Sequence, residues 1–494
     1  MKRLDIEKNI ISSQLNYISQ TDKNYIKEHS QFFTPIPVIK NMINTVDLKK
    51  FNTSTVFRIL EPSAGCGILV CFLMLHILEK TNIKSVEIDL YESDIFLGNI
   101  LIENISMLSS YISLNSFIKF TYKIHLKNFL LASPTIVKKY DIIISNPPFK
   151  KINKTSKEAS IFSEYIYGQP NIYMLFMLAS LKLLSSNGIY TVITPRSYLS
   201  GLYAKKIRAY ILNNYHLSHL HTFDSRHIFK NICQEVIIST FSKNTNDKII
   251  KVSHNGSFST KLKLKNLVCK ENNYTILLPR TLTDIQNIRE LKIFNSKLDS
   301  LNLAIKVGPV VQFRQTDFLR TTSYSSTHAP LILSSDIGDN NIITYNSTSS
   351  AHKPKNHSIS TTSPKIVKNS NYVLLQKVTS KSAKNFIKAV VLSNTFFNHS
   401  YIGFDNNLLY IRQKDISKSL DLTICYGLYC YLSSSLFNNL FSLIIGTHTI
   451  NIQDFNDVPF PNHKQLLNLG TAIFKSKDYS RDNCDKIIST YTNK

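Results

Sequence analysis

Acidic residues and long apolar runs are both scarce in this chain of 494 residues. It has 33 Asp and Glu against 58 Lys and Arg, which gives a formal net charge of +25. Such an excess favours a polyanionic partner, with nucleic acid ahead of an anionic membrane. No apolar stretch reaches ~18 uninterrupted residues, and MKRLDIEKNI lacks the apolar core of a secretion signal. We therefore predict a cytoplasmic protein without a membrane span.

Cysteine is present, but without the spacing that disulfides or metal knuckles require. The seven cysteines are Cys66, Cys71, Cys233, Cys269, Cys425, Cys430 and Cys484. Their odd number and wide separation exclude a disulfide framework, and no CxxC pair is present. We expect a reducing compartment and no metal site.

From about residue 56, short β-rich runs alternate with helical stretches. This rhythm predicts a doubly wound, Rossmann-like α/β sheet covered by helices on both faces. It ends after Lys243, and residues 243–275 and 334–369 have the polar composition typical of linkers or long loops. The length also favours more than one core. We predict two domains, 1–245 and 246–494, the second of mixed α/β structure.

ILEPSAGCG, residues 59–67, is an apolar strand followed by a turn of small residues and a helix. Gly65 and Gly67 allow a ligand to approach the backbone, and the helix start favours negative charge. Such turns are common in doubly wound sheets, so this one alone predicts a cofactor site only weakly. Glu92 ends the next strand, where this fold places an acid against ribose hydroxyls. Glu87 in the same strand is the competing choice, and a solvated acid is the alternative for either.

DIIISNPPF, residues 141–149, runs a buried strand into a rigid polar corner. The prolines bias Asn146 toward an extended conformation and stiffen the turn. The Asn146 side chain and the Pro147 carbonyl then form two fixed acceptors beside the ring of Phe149. This arrangement suits a planar base with an exocyclic amine, and predicts transfer of a methyl group from a sulfonium to nitrogen. Positioning can supply ~7 to 11 kcal/mol of such a barrier, and fixed acceptors add electrostatic stabilisation. A strand terminator with a buried Asn is the alternative.

EPSAGCG followed by NPPF resembles the gamma group of N6-adenine DNA methyltransferases from restriction-modification systems, in which the recognition region comes last. Within that group the chain is similar to the PstI/BsuBI-type enzymes, and segments 225–239, 305–314 and 446–461 extend the likeness. The resemblance implies site-specific adenine-N6 methylation of double-stranded DNA by base flipping and direct transfer from S-adenosylmethionine. It implies Asn146, Pro147, Pro148 and Phe149 as catalytic residues and 246–494 as the target-recognition domain. A separately encoded restriction endonuclease is the expected companion, and the protein is expected to be a monomer or weak dimer.

The resemblance also assigns the cofactor site, as Thr34, Pro35, Glu61, Ala64, Gly65, Gly67, Glu92, Asn128 and Phe129. Thr34 and Pro35 of QFFTP would lie beside the methionine part of S-adenosylmethionine. Glu61 would meet the methionine amino group, and Glu92 would take the ribose. Asn128 and Phe129 of HLKNFL would cup the adenine, although the family has Asp at the position of Asn128. Because Asn carries no charge, we expect an altered cofactor affinity.

ITPRSYLSGLYAKKIR, residues 193–208, resembles the segment whose aromatic residue stacks on the extruded adenine. Tyr203 is the candidate, although an ungapped match places Ala204 there, and Tyr198 is the second choice. Either tyrosine could equally be a packing residue. Flipping a base costs a few kcal/mol, and stacking returns ~1 to 3 kcal/mol. We expect Phe149 and Tyr203 to form the two faces of this slot.

In the C-terminal half, Arg314 and Arg320 are the candidate DNA contacts, because arginine can bond both acceptors of a guanine edge. Further candidates are Lys377, Lys381, His448, Asn451 and Asp454. For each basic residue the alternative is a solvated surface charge, and for the last three it is the capping of a turn. Together, so many basic residues predict DNA binding with a strong salt dependence.

Other activities are alternatives to this prediction. Cytosine-C5 methylation needs a cysteine nucleophile, usually after proline, and Cys233 follows Ile232 instead. N4-cytosine methylation uses the same amine chemistry, usually with Ser in place of Asn146, and methylation of RNA or of a protein glutamine also uses NPP[FY]. A DNA-binding specificity subunit without activity is the alternative of another class, but the intact NPPF speaks against it. No nuclease motif is evident.

Overall fold

The computed structural model describes residues 3–51, 56–224, 228–229, 235–243, 248–269, 274–345, 355–378, 387–444, 449–456 and 458–492. The chain divides into two units, Met1–Arg280 and Thr281–Lys494. The boundary lies later than residue 245, because two strands beyond that point continue the sheet of the first unit.

The first unit is built on a nine-stranded sheet. Its strands are β1 (Phe57–Glu61), β2 (Ser85–Glu92), β3 (Lys119–Leu126), β4 (Tyr140–Ser145), β5 (Leu184–Pro195), β6 (His216–Thr222), β7 (Val236–Ser242), β8 (Ile249–His254) and β9 (Phe258–Lys263). They lie in the order β3-β2-β1-β4-β5-β7-β6-β8-β9. Strands β1 to β5 are parallel, and β7 runs antiparallel to both of its neighbours. The predicted doubly wound sheet is confirmed. The prediction of a linker over 243–275 is wrong, because β8 and β9 pair there and are followed by the short pair β10 (Val268–Cys269) and β11 (Thr275–Ile276).

Helices cover this sheet. They are α1 (Arg3–Gln20), α2 (Lys23–Glu28), α3 (Ile36–Asn44), α4 (Ile68–Lys80), α5 (Ile95–Asn115), α6 (Phe129–Ala132), α7 (Lys157–Ile161), α8 (Ile172–Lys182) and α9 (Lys205–Asn214). Ile59, Ile88, Ile142 and Ile144 on the central strands are fully buried. Strands of a parallel sheet covered on both faces read as continuous apolar runs, which is why the sequence indicated them.

By length and composition, α5 is long and apolar enough to cross a membrane. Its residues Leu101, Ile105, Leu108 and Ile112 are fully buried in the core of the first unit. Residues at this spacing lie on one face of a helix, and here that face is buried in the core. α5 is therefore buried in the way expected of a core helix.

The second unit has mixed α/β structure, as predicted. One sheet has four strands in the order β12-β20-β17-β18, and the other has five in the order β13-β15-β14-β19-β16. These strands are β12 (Leu303–Val307), β13 (Leu319–Arg320), β14 (His328–Ile332), β15 (Ser358–Ser360), β16 (Val367–Lys368), β17 (Tyr372–Gln376), β18 (Ala389–Leu392), β19 (Tyr401–Phe404) and β20 (Leu408–Gln413). The helices are α10 (Leu282–Glu290), α11 (Leu422–Ser433), α12 (Ser435–Ile444), α13 (His463–Ser476) and α14 (Arg481–Thr492). β15 and β16 lie within the range 334–369 that the sequence predicted as loop.

Candidate active site

A cavity of about 550 Å³ lies at the carboxyl ends of β1, β2, β3 and β4 in the first unit. Nine of the predicted site residues line it, namely Thr34, Glu61, Ala64, Gly65, Glu92, Asn128, Phe129, Asn146 and Pro148. The other predicted residues of this unit, all within the described chain, lie outside the lining, namely Pro35, Gly67, Pro147, Phe149 and Tyr203. Because the ends of adjacent parallel strands meet at one edge, motifs far apart in sequence come together here.

The turn between β1 and α4 needs both of its glycines, for different reasons. Gly65 and Gly67 have φ values of +53° and +79°, which side chains rarely adopt. A Cβ on Gly65 would meet no atom within 4 Å, so this residue keeps the backbone open to the cavity. A Cβ on Gly67 would lie 2.6 Å from Leu101 Cδ1, so Gly67 allows α5 to pack against the turn. Gly67 therefore supports the site from behind.

Glu92 binds the turn rather than solvent. Its Oε2 accepts a hydrogen bond from the Gly65 amide at 2.7 Å, and its Oε1 accepts from the amides of Ser93 and Asp94 at 2.8 Å. Burial raises the pKa of Glu92, and these backbone bonds act in the opposite direction. Glu87, the competing choice, pairs with Lys138 at 2.9 Å and Arg58 at 3.3 Å and does not line the cavity.

Glu61 at the end of β1 is almost completely buried, with 1% of its surface exposed. Its Oε2 accepts a hydrogen bond from the Val70 amide at 3.2 Å. Burial raises the pKa of this carboxyl well above its usual value. A carboxylate in such a position is stabilised by a cation or by further donors, so the site favours a positively charged group at this point.

Asn146 at the end of β4 is held in one orientation. Its Nδ2 donates to the Phe32 carbonyl at 2.6 Å and to Thr34 Oγ1 at 2.9 Å. Because the Phe32 carbonyl can only accept, the amide nitrogen must face it and the amide oxygen must point the other way. Within the described chain this buried Oδ1 has no hydrogen-bond partner. It is therefore a fixed acceptor at the cavity, available to a donor.

The aromatic residues near this corner have different surroundings. Phe149 stacks on Phe32 with centroids 5.6 Å apart, and its ring makes edge contacts with Tyr173 and Phe229 at 6.1 Å. Tyr203 is 45% exposed, whereas Tyr198 is 3% exposed and its hydroxyl lies 2.6 Å from Ser239 Oγ. Of the two tyrosines, Tyr203 therefore has the open ring and Tyr198 the environment of a packing residue.

Asn128 caps a helix and holds an acid. Its Oδ1 accepts hydrogen bonds from the amides of Leu130 and Leu131 at 2.9 and 3.4 Å, at the start of α6. Its Nδ2 donates to Glu158 Oε1 at 2.9 Å, and Glu158 also lines the cavity. The resemblance implies a carboxylate at the position of Asn128. In this chain a carboxylate lies next to that position instead, on Glu158 of α7, and the sequence did not indicate it.

The N-terminal segment contributes residues that sequence reasoning missed. Asp94 Oδ2 accepts hydrogen bonds from the Tyr25 hydroxyl at 2.9 Å and from Gln31 Nε2 at 2.7 Å, while its Oδ1 caps α5. Gln14 on α1 also lines the cavity. Of these residues, only Gln31 belongs to a recognised motif, QFFTP. Tyr25 and Gln14 lie far from Asp94 in the sequence, and no local sequence pattern identifies them as site residues.

In the second unit, Arg314 and Arg320 are both exposed. The Arg314 guanidinium lies 5.3 Å from the centroid of the Phe313 ring, and Arg320 donates to the carbonyls of Asp317 and Leu319. Lys377 is half-buried. Asn451 and Asp454 form a capping box, which agrees with the alternative that these residues cap a turn. Lys381 and His448 lie outside the described residues.

Comparison with known proteins shows what this chain is similar to. Residues 101–229 match the Eco57I restriction-modification methylase family. The type II methyltransferase M.BsuBI of Bacillus subtilis is 28% identical, with 91% of each chain covered. M.PstI of Providencia stuartii is 26% identical over 71% of this chain and 70% of its own. A nuclease-deletion mutant of the Type ISP restriction-modification enzyme LlaGI, solved with a DNA substrate mimic, shares the fold. Its TM-score is 0.53 at 11% identity, over 95% of this chain and 56% of that chain.

The comparison with this structure shows an α/β fold in common, and in the present chain the cavity lies at the strand ends of its doubly wound sheet. The two relatives, M.BsuBI and M.PstI, are type II DNA methyltransferases, in line with the resemblance recognised from the sequence, and the chain is similar to them over most of its length.

Proposed function

We propose that this protein methylates the N6 amine of adenine at a specific site in double-stranded DNA, using S-adenosylmethionine. The observation that carries the proposal is the Asn146 Oδ1, a buried acceptor without a partner in the described structure. Buried polar atoms are almost always hydrogen-bonded, so such an atom at a cavity is suited to a ligand's donor. An exocyclic amine has two hydrogens to donate and fits this acceptor.

The residues around the cavity fit the cofactor as well. Its volume is within the range of small-molecule sites. Gly65 leaves space where a side chain would project, Glu92 offers carboxylate oxygens on β2, and the buried Glu61 favours a cation on β1. Asn128 and Phe129 follow β3, which is the edge strand next to β2 and two strands away from β1. We propose these residues as the sites for the nucleoside and the amino-acid part of S-adenosylmethionine.

S-adenosylmethionine would supply a methyl group on a sulfonium. Adenine N6 forms a bond to the methyl carbon while the carbon–sulfur bond breaks and its electron pair stays on sulfur. The extra proton of the amine then passes to solvent. Asn146 accepts from the amine and directs its lone pair toward the methyl carbon, so the corner acts by positioning and electrostatics.

To reach this corner, the target adenine must leave the duplex. Phe149 is held by Phe32 and Phe229, and the ring of Tyr203 is open to solvent. We propose that these two rings stack on the flipped base. Arg314 and Arg320 are the proposed contacts to DNA in the second unit, and the modification is proposed to protect the site from a cognate endonuclease.

Nucleoside analysis of methylated DNA tests the proposal directly. Duplex DNA is incubated with the purified protein and radiolabelled S-adenosylmethionine, digested to nucleosides and separated. We expect the label in N6-methyladenine, and label only in N4-methylcytosine would contradict the assignment. Asn146→Ala should abolish transfer while cofactor and DNA affinities stay within about twofold. Asn115→Ala, on the exposed end of α5, serves as the matched control.

A further inference from the structure

Gln14 is a buried amide in the lining of the cavity. It lies on α1, is 8% exposed and belongs to the cavity lining. In the part of the chain that the structure describes, its Oε1 makes no hydrogen bond. Nothing in the N-terminal sequence up to QFFTP indicated a site residue. Because buried polar atoms are nearly always satisfied, this oxygen points to a donor that a ligand brings.

The position of α1 is fixed at the turn between β1 and α4. Asn104 on α5 donates to the Cys66 carbonyl at 2.8 Å and to Ser13 Oγ at 3.0 Å, which joins α1 to the turn. One helical turn later, Tyr17 packs with Cys66 in a small apolar cluster and donates to Gln31 Oε1 at 2.9 Å. Gln14 lies between these two anchors and on the same face as Tyr17. These anchors fix the stretch of α1 that carries Gln14 beside the turn that follows β1.

Glu61 lines the same cavity from the end of β1. One of its oxygens accepts a hydrogen bond from the Val70 amide, and the side chain is 1% exposed. A buried carboxyl group and a buried amide oxygen that line one cavity suit a cationic group with several donors. An ammonium has three N–H donors and no acceptor, whereas a ribose hydroxyl has one donor.

We propose that Gln14 Oε1, together with the Glu61 carboxylate, accepts hydrogen bonds from the α-ammonium group of S-adenosylmethionine. This inference rests on the proposed function, because it assumes that cofactor. α1 would then contact the amino-acid part of S-adenosylmethionine directly. This contact would favour S-adenosylmethionine over nucleosides that lack the amino-acid part.

Two ligands separate this role from a structural one. S-adenosylhomocysteine contains the amino-acid end, and 5′-methylthioadenosine has the same nucleoside and thioether without it. Gln14→Met keeps the length of the side chain and removes the acceptor. By calorimetry we expect about a tenfold loss of affinity for S-adenosylhomocysteine, as for one charge-assisted hydrogen bond, and a change within twofold for 5′-methylthioadenosine.

Gln20→Met is the matched control, since Gln20 is exposed on the same helix. It should leave both affinities unchanged, and circular dichroism checks the fold of each variant. Equal losses for both ligands in Gln14→Met would show a structural role, and no loss for either would also overturn the inference.

A third ligand tests which group is bound. In S-adenosylhomocysteine without its α-amino group the carboxylate remains, and Gln14→Met should cause no further loss of affinity. A persistent tenfold loss would mean that Gln14 binds the carboxylate, contrary to the proposal. If the wild-type protein binds 5′-methylthioadenosine and S-adenosylhomocysteine equally well, the inference fails while the cofactor assignment stands. If it binds neither, the cofactor assignment fails as well.

Discussion

The Ser63 hydroxyl donates a hydrogen bond of 3.1 Å to the backbone carbonyl of Asn146. Ser63 belongs to the turn after β1, and Asn146 begins the corner after β4. This bond joins the proposed cofactor turn to the proposed catalytic corner. The relative position of a methyl donor and its acceptor depends on such links, because small displacements cost much of the benefit of positioning.

Ser63→Ala should therefore slow methyl transfer more than it weakens cofactor binding. Loss of one neutral hydrogen bond is worth about 0.5 to 1.5 kcal/mol, which corresponds to a roughly two- to tenfold lower rate. Single-turnover kinetics measure the rate, and calorimetry should give a cofactor affinity within about twofold of wild type. Ser110→Ala, on the exposed side of α5, is the control. An unchanged transfer rate would mean that this bond does not position the corner.

Asn146→Asp should lose most activity even though it keeps an acceptor. The introduced carboxyl places an oxygen 2.6 Å from the Phe32 carbonyl, where Asn146 now has its donor. Only a protonated carboxyl could donate to that carbonyl, so residual activity should rise as the pH falls. A pH profile of single-turnover rates checks this. Full activity at pH 8 would contradict the orientation that we assign to the Asn146 amide.

Strands β1 to β5 and the site at their ends follow from sequence because buried parallel strands are apolar and their ends carry the motifs. Gln14 and Tyr25 could not be predicted as cavity residues, since their place in the lining depends on how distant elements pack together. Glu158 is similar: nothing near it in the sequence shows that Asn128 lies 2.9 Å away. β8 and β9 were missed because their lysines resemble a linker, although IIKVSH alternates between exposed and buried residues.

Asn128→Asp should destabilise the first unit at neutral pH. An aspartate can still cap α6, but it cannot donate to Glu158, and it places two carboxylates side by side. We expect a loss of about 1 kcal/mol in the free energy of unfolding, comparable to one hydrogen bond. Denaturant titration measures it. Adding Glu158→Gln removes the repulsion and should restore stability.

The same variants report on the cofactor, because Asn128 and Glu158 both line the cavity. Affinity for S-adenosylhomocysteine should differ among wild type, Asn128→Asp and the double variant. Identical affinities in all three would indicate that this end of the cavity does not contact the ligand.

Two histidines on β6, the buried His221 and the half-buried His219, should make the protein less stable in mild acid. His219 Nε2 and His221 Nδ1 both lie 2.8 Å from Ser253 Oγ, and burial lowers the pKa of His219 to about 3 and that of His221 to about 4. Both are neutral in the folded chain, whereas an unfolded histidine takes up a proton below about pH 6.5. Stability contributed by the neutral form is complete above pH 6.5 and falls as the pH drops from there toward 4. In this range each histidine lowers the free energy of unfolding by up to about 1.4 kcal/mol for each pH unit of acidification.

His221→Gln isolates this effect, because the amide can hydrogen-bond to Ser253 but does not titrate. Free energies of unfolding measured by denaturant titration between pH 7.5 and 5 should fall less steeply for this variant than for wild type. Parallel curves for wild type and His221→Gln would mean that His221 takes up its proton equally in the folded and unfolded chain, and that its burial on β6 does not hold it neutral.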